Sequence, residues 1–250
     1  MVVEEKLDGE EFSLQCLTDG KTVIAMPPVQ DHKRAFEDDK GPNTGGMGSY
    51  SCENHLLPFI KKEHVEEALK ITKQVVQSIH IETGEYYKGV MYGGFIITKN
   101  GLKLLEYNAR FGDPEAMNVL PLLKTDLTTI CEAILVQELE RIKVEFEKKA
   151  TVCKYVVPKG YPDNPVKEKI EVTEPEEAKL YYASVDEKGN ELFMTGSRAI
   201  ALLGIGNNLE EAEQIAEKAT ENIKGNVFHR KDIGTKELIE KRIRHVESLI

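Results

Sequence analysis

Glu106-Tyr107-Asn108-Ala109-Arg110-Phe111-Gly112-Asp113-Pro114-Glu115 follows directly on a hairpin pattern, and the two together decide how the chain is read. Gly93 to Thr98 and Leu102 to Leu105 are apolar runs separated by Asn100-Gly101. Asn-Gly is a strong hairpin signal because both residues tolerate positive φ. On the second strand, Glu106, Asn108 and Arg110 recur at every second position, which predicts one shared face. A carboxylate beside an amide oxygen suits a hard cation carrying nucleotide phosphates. An arginine one step further suits a phosphoryl or acyl-phosphate oxygen. The same pattern also fits a solvated strand end with Glu106 and Arg110 paired across the surface.

Composition narrows the setting. With 250 residues, 40% hydrophobic and 30% charged, the chain reads as a soluble globular protein able to bury one large core or two smaller ones. A net charge of −10 argues against general nucleic-acid binding, yet leaves room for a local basic pocket. No apolar stretch approaches the roughly 20 residues needed to span a bilayer, and Met1-Val2-Val3-Glu4-Glu5 lacks the features of a signal peptide. Cys16, Cys52, Cys131 and Cys153 have no metal-ligand spacing; Cys131 and Cys153 sit among apolar neighbours and read as small core residues. All of this fits a reducing cytoplasm and no membrane partner.

Outward from the opening stretch, Phe12 to Thr18 and Thr22 to Met26 read as strands around an Asp19-Gly20-Lys21 turn. Pro27 to Tyr50 reads as one long polar loop. Lys61 to Ile81 carries a helical apolar period. Asp113 and Pro114 read as the N-cap and first position of a further helix, which resumes from Asp126 to about Leu139 and buries Leu127, Ile130, Ile134 and Leu135. The charged run Glu138 to Lys149 marks the passage to a second unit. There, Thr151–Val157, Glu168–Val172, Lys179–Ser184 and Ser197–Leu203 are strand candidates. Asn208 to Glu211 reads as a capping box for a helix that buries Ala212, Ile215, Ala216, Ala219 and Ile223 and ends at Gly225.

Two more segments carry chemistry. Gln30-Asp31-His32-Lys33-Arg34 leads to Gly41-Pro42-Asn43-Thr44-Gly45-Gly46-Met47-Gly48. Glycines 45, 46 and 48 would let backbone N–H groups surround an anion, with Lys33 and Arg34 adding charge and Asp31 and His32 available to an amine or hydroxyl. The GxxxxGK[ST] spacing of a P-loop is absent. The first eleven residues hold five acids between Val2 and Glu11. They read either as a solvated face or as a backbone hinge that binds adenine through main-chain groups and ribose through a carboxylate.

Taken together, these segments resemble the phosphoribosylamine–glycine ligase family of the ATP-grasp superfamily. Glu4 to Ser13 is similar to its hinge strand, Gln30 to Gly48 to its long central loop, and Leu105 to Glu115 to its metal strand. Gly196-Ser197-Arg198-Ala199-Ile200 and His229-Arg230-Lys231-Asp232-Ile233-Gly234 continue the likeness in the same order. The resemblance implies an α+β fold, with a partial ATP-grasp catalytic core over residues 1–149 and a smaller C-terminal α/β domain over residues 150–250. It implies ATP and magnesium, or manganese, as cofactors. Glu4, Glu5, Lys6 and Leu7 would hold adenine and Glu11 the ribose. Asn43 would lie beside the phosphates, and Glu106 and Asn108 would bind the metal. Arg110 would stabilise the transferring phosphoryl group, while Asp31, Lys33 and Asp113 would hold the amine substrate. The implied reaction joins glycine to 5-phosphoribosylamine through a glycyl phosphate, giving glycinamide ribonucleotide, ADP and phosphate in purine biosynthesis.

The chain departs from the family pattern at its start. A preceding α/β domain and part of the ATP lid lie outside the resemblance, and Met1 falls within what resembles the lid. The expectation is therefore a fragment or one half of a split enzyme, partnered by a separate N-terminal half chain, with apolar strand edges at Val2–Leu7 and Phe12–Leu17 left open. Two rival readings are another ATP-grasp carboxylate–amine ligase and a non-catalytic, truncated nucleotide-binding module.

Overall fold

The computed structural model describes Val3 and residues 5–249. In chain order the strands and helices begin with β1 (Glu10–Thr18), β2 (Val23–Ala25), β3 (Gln30–Asp31), β4 (Arg34–Phe36), β5 (Lys40–Asn43) and β6 (Gly48–Ser51). They continue with α1 (Lys62–Thr83), β7 (Gly89–Thr98), β8 (Gly101–Asn108), α2 (Glu115–Val119) and α3 (Leu127–Val136). The remainder comprises β9 (Ala150–Pro158), β10 (Lys169–Val172), β11 (Lys179–Tyr182), β12 (Val185–Lys188), β13 (Glu191–Met194), β14 (Ile200–Gly206), α4 (Leu209–Thr220), β15 (Ile223–Lys224), β16 (Val227–Phe228) and α5 (Lys236–Leu249).

Four strands pair in the order β2-β1-β7-β8, all antiparallel. The expected hairpin forms, with Lys99 and Asn100 at the turn and Thr98 opposite Gly101; of the Asn-Gly pair only Gly101 takes a positive φ, of +90°. A second sheet runs β11-β14-β9-β6-β3, with β16 against the end of β9. Val29 bridges to Ser13 just before β3, so the two sheets meet there. A third sheet, β12-β13-β10-β15, packs a smaller core of Val156, Ile170, Ile200 and Ile223.

Several expectations are corrected here. The long polar loop over residues 27–50 is instead four short strands and a 3-10 turn: β4 pairs with β5, β3 with β6, and β6 also with the distant β9, where Ser49 sits opposite Cys153. Two- and three-residue strands carry no readable alternation. That same ladder joins residues 48–51 to residues 151–154, and the main core joins Phe12 and Phe95 with Tyr155, Leu203 and Ile239. The segment before Gly9 forms no strand among the described residues, whereas β1 lies inside its sheet between β2 and β7 and is buried, not an open edge.

Leu127, Cys131 and Leu135 are exposed, not buried, while Ile130 and Ile134 enter the core; the helix is apolar on more faces than it buries. Helix α4 stops at Thr220, and Ile223 belongs to β15. Asn208 does cap it, accepting from Glu211 N at 2.9 Å, but the Glu211 carboxylate turns to Asn207.

Candidate active site

Lys33, Asp31, Glu106, Asn108, Arg110, Asp113 and Glu115 line one cavity of about 120 Å3, together with Tyr92, Thr44, Gly45 and Gly112. A neighbouring cavity of about 360 Å3 shares Asp31 and Lys33 and adds Glu11, Gln30, His32, Arg34, Asn43 and Arg242. Eight of the twelve expected site residues therefore converge on two adjoining hollows. Glu5, Lys6 and Leu7 lie outside both linings, and Glu4 lies outside the described residues.

Glu106 and Asn108 end β8 and face the cavity two positions apart, with Asn108 Nδ2 donating to Glu106 Oε1 at 3.2 Å. Arg110 lies beyond the strand, so simple alternation does not place it. Its Nη1 donates to Phe111 O at 2.8 Å, which turns the guanidinium toward the same hollow. A bulge opposite Gly94 and Phe95 also shifts the register inside the strand.

Asp113 does not cap α2; the cap position is Pro114. Both Asp113 oxygens are taken instead, Oδ1 by Tyr155 Oη at 2.7 Å and Oδ2 by Arg198 Nη2 at 2.9 Å. Asp113 therefore helps to shape the site while remaining in the cavity lining. Arg198, over the Tyr155 ring at 4.6 Å, also donates to the Gly45, Gly46 and Asp113 carbonyls. Of the N–H groups expected to face an anion, that of Gly46 is taken by Thr44 Oγ1, and the neighbouring Met47 N–H is taken by His32 O. The glycines instead let a loop lie close under Asp31 and Arg198. A Cβ at Gly46 would come within 2.6 Å of Asp31 Oδ1, at a φ of +112°.

The electrostatics are uneven. Burial, and then the Glu115 charge, holds the Asp31 carboxyl well above its ordinary value. Burial likewise raises Glu115, against the hydrogen bond from Tyr92 Oη at 2.9 Å. Burial would lower Lys33, but the carboxylates of Glu11, Asp31 and Glu106 outweigh it and keep the ammonium charged. Burial, with Arg230 and Arg242 nearby, pushes His32 down to about 3, so it is neutral at physiological pH.

Glu106 and Asn108 fit magnesium, which takes hard oxygen ligands, keeps waters and needs few protein donors when phosphates complete its shell. Among the described residues no group of three or more His, Cys, Asp or Glu side chains stands ready to hold a metal alone.

Glu115, Tyr92, Tyr155 and Arg198 carry parts of the site that sequence reasoning left without roles. Glu115 and Arg198 stood within recognised motifs. Tyr92 and Tyr155, inside apolar strands, gave no signal.

The family model for the phosphoribosylglycinamide synthetase ATP-grasp (A) domain matches residues 1–116, and that for its C domain matches residues 151–236. The chain belongs to the phosphoribosylglycinamide synthetase family. It is 53% identical to a phosphoribosylamine–glycine ligase of Methanococcus maripaludis and 56% identical to that of Methanocaldococcus jannaschii. In both comparisons all of this chain is covered and 57% of the relative, so the chain spans little more than half the length of these relatives. The solved phosphoribosylamine–glycine ligase of Thermotoga maritima superposes with a TM-score of 0.77 at 29% identity, covering 92% of this chain and 56% of that one. The biotin carboxylase domain of Hydrogenobacter thermophilus 2-oxoglutarate carboxylase, solved with MgADP and bicarbonate, has a TM-score of 0.66 at 17% identity, covering 96% and 52%. That likeness shows the ATP-grasp fold alone. No helix among the described residues is long and apolar enough to cross a membrane.

Proposed function

We propose that this chain carries the nucleotide, metal and acyl-transfer part of a phosphoribosylamine–glycine ligase: ATP-dependent ligation of glycine to 5-phosphoribosylamine, giving glycinamide ribonucleotide, ADP and phosphate. The observation that carries the reading is the convergence of Glu106, Asn108, Arg110, Lys33 and Asp31 on one cavity, in a chain of this family. Residues 1–149 supply the lining of that cavity. Residues 150–250 brace it through β9 and Arg198, so the two regions act together.

Glu106 and Asn108 would hold magnesium, with manganese as a substitute. The ion would screen the phosphates so that a carboxylate can approach them. Arg110 and Lys33 face the space where charge builds as the glycine carboxylate meets the γ-phosphate, and each offsets part of it. The resulting glycyl phosphate has a good leaving group, so an amine can displace phosphate. Glu11 and Asn43 in the adjoining cavity would contact the ribose and phosphates, and Glu4 to Leu7 would lead the chain to adenine. A separate N-terminal half chain would complete the nucleotide clamp, in the cytoplasm.

The test is ADP release with glycine and phosphoribosylamine, by the chain alone and with the N-terminal region of a long relative added. ADP formation that requires both substrates supports the reading. Tight Mg·ATP binding with no turnover in either arrangement would mean a non-catalytic nucleotide module. ADP formation with another amine in place of phosphoribosylamine would mean a different ligase.

A further inference from the structure

Two parts of the C-terminal region lie outside the lining of the small cavity: the segment His229-Arg230-Lys231-Asp232-Ile233-Gly234 and helix α5 after it. Arg230 is 1% exposed, and a guanidinium that far from water is costly unless its N–H groups are met. Its Nε and Nη2 donate to the two oxygens of Asp232 at 2.9 and 2.7 Å. Its Nη1 donates at 3.1 Å to Asp39 Oδ1 and at 3.1 Å to Arg34 O, and both of these residues line the larger cavity.

The contacts continue across that cavity. Asp39 Oδ2 accepts from Arg242 Nη2 at 2.5 Å, and Arg242 Nη1 lies 3.3 Å from Glu10 Oε2. Glu10 is buried, meets His245 Nδ1 at 2.6 Å and directly precedes Glu11. Arg230, Asp39, Arg242 and Glu10 therefore form one chain of alternating charge from the wall of Arg34, Asp39 and Asn43 to the wall of Gly9, Glu10 and Glu11. The first wall contains a strained turn. Asp38 and Asp39 have φ of +59° and +58°, a conformation few residues other than glycine adopt. Asp232 accepts the Asp38 N–H at 3.0 Å while Arg230 holds the Asp39 carboxylate, so one distant segment keeps both residues in place.

We infer that Arg230 is a positioning residue: through Asp39 and Arg242 it fixes the separation of the two walls, and with it the grip of Glu11 and Asn43 on a nucleotide's sugar. This rests on the proposed function, which places the ribose in the larger cavity. Arg230 lies outside the lining, so its effect passes through Asp39. A cation shared by two acids away from water resists the displacement of either, because parting one leaves an unpaired charge. Burial would raise Asp39, but the Arg242 and Arg230 guanidiniums outweigh it and hold the carboxyl below its ordinary value. Among the described residues Glu106, Asn108 and Arg110 make no hydrogen bond to any member of the chain. Breaking a link therefore moves the sugar wall and leaves the acid–amide pair in place.

The experiment is calorimetric titration of the full 250-residue chain with magnesium and either ATP or 2′,3′-dideoxy-ATP, without glycine. The dideoxy nucleotide lacks both ribose hydroxyls and keeps every phosphate. The unmutated chain is expected to bind ATP at least about tenfold tighter, as a hydroxyl on a carboxylate warrants. Arg230→Lys keeps a charge beside Asp232, but one ammonium cannot hold Asp232, Asp39 and the Arg34 carbonyl together. It should cut the preference for ATP at least about fivefold and change the dideoxy-ATP affinity less than about twofold. Arg242→Gln, at a partly exposed position, should do the same, and it carries the test if R230K proves unfolded by circular dichroism. The double variant should lose no more than the larger single loss, because both act on Asp39. An unchanged preference in the folded variants, or an equal loss for both nucleotides, overturns the inference. Equal binding of both nucleotides by the unmutated chain also overturns it, while the metal and phosphate part of the proposed function survives. Failure of the unmutated chain to bind either nucleotide refutes both.

Discussion

Arg198→Ala removes a side chain that ties the C-terminal region to the glycine-rich loop. Its guanidinium donates to Gly45 O at 2.7 Å, Gly46 O at 3.2 Å and Asp113 O at 3.1 Å, and pairs with Asp113 Oδ2 at 2.9 Å. Asp113 is half exposed, so the ion pair adds no more than about 1 kcal/mol. The stacking over Tyr155 contributes roughly 1 kcal/mol. The three carbonyls lose a charged donor but regain some water, at about 0.5 to 1 kcal/mol each. These contributions share one side chain and are not additive, so the expected loss is about 3 kcal/mol. For a protein of this size that lowers the melting temperature by roughly 6 to 12 °C. Urea denaturation of Arg198→Ala, Tyr155→Phe and the double variant measures the loss and the coupling, which should exceed about 1 kcal/mol. Hydrogen exchange should show faster opening at residues 44–47. A loss below about 1 kcal/mol with unchanged exchange in that loop would refute the bracing role.

Other outcomes follow from the same geometry. Lys154, fully buried between Glu213 and Glu217 at 2.6 Å each, should cost about 3 to 5 kcal/mol as Lys154→Met, and adding Glu213→Gln and Glu217→Gln should recover much of it in urea titrations. Burial would raise Glu217, but hydrogen bonds from His229 and Lys154 outweigh it and push the carboxyl down to about 2. Its stabilisation is then complete above the ordinary carboxylate value near 4.3 and disappears as pH falls toward about 2, so Glu217→Gln should flatten the acid limb of the denaturation midpoint between those values. Glu106→Gln should weaken the magnesium dependence of nucleotide binding at least tenfold, read by titrating the metal at fixed ATP analogue. Gly46→Ala should destabilise by about 2 kcal/mol or more, since its φ of +112° and the contacts at 2.6 and 2.7 Å to Asp31 and Pro114 leave no place for a methyl group.

Much of this was legible from local chemistry. Asn100-Gly101 announced its hairpin, and the Glu106–Asn108 alternation placed the acid–amide pair on one face. Asp31 and Lys33 declared themselves by charge beside a glycine-rich segment. The failures share one cause, which is pairing between residues distant in the chain. Within residues 27–50, β6 is held by the distant β9 and in turn pairs with β3, and nothing within that segment signals it. Asp113 preceded a proline and an acid, which reads as a helix cap, but Tyr155 and Arg198 claim its oxygens from beyond the predicted boundary. Leu127 and Leu135 fit a helical period, yet a period gives spacing and not which face finds a partner.

The ladder between β6 and β9 also dictates an order of assembly. The hairpin of β7 and β8 closes over two residues, whereas Ser49 must wait for Cys153, a loop of about a hundred residues whose closure entropy is met only when both ends exist. Asp31 sits on the strand that this late ladder secures and Lys33 follows just after it, and Arg198 arrives later still. During synthesis the strand bearing Glu106 and Asn108 is thus complete well before the cavity is. Pulse-labelling exchange during refolding should protect residues 92–107 before residues 30–50, and simultaneous protection of the two would contradict this order.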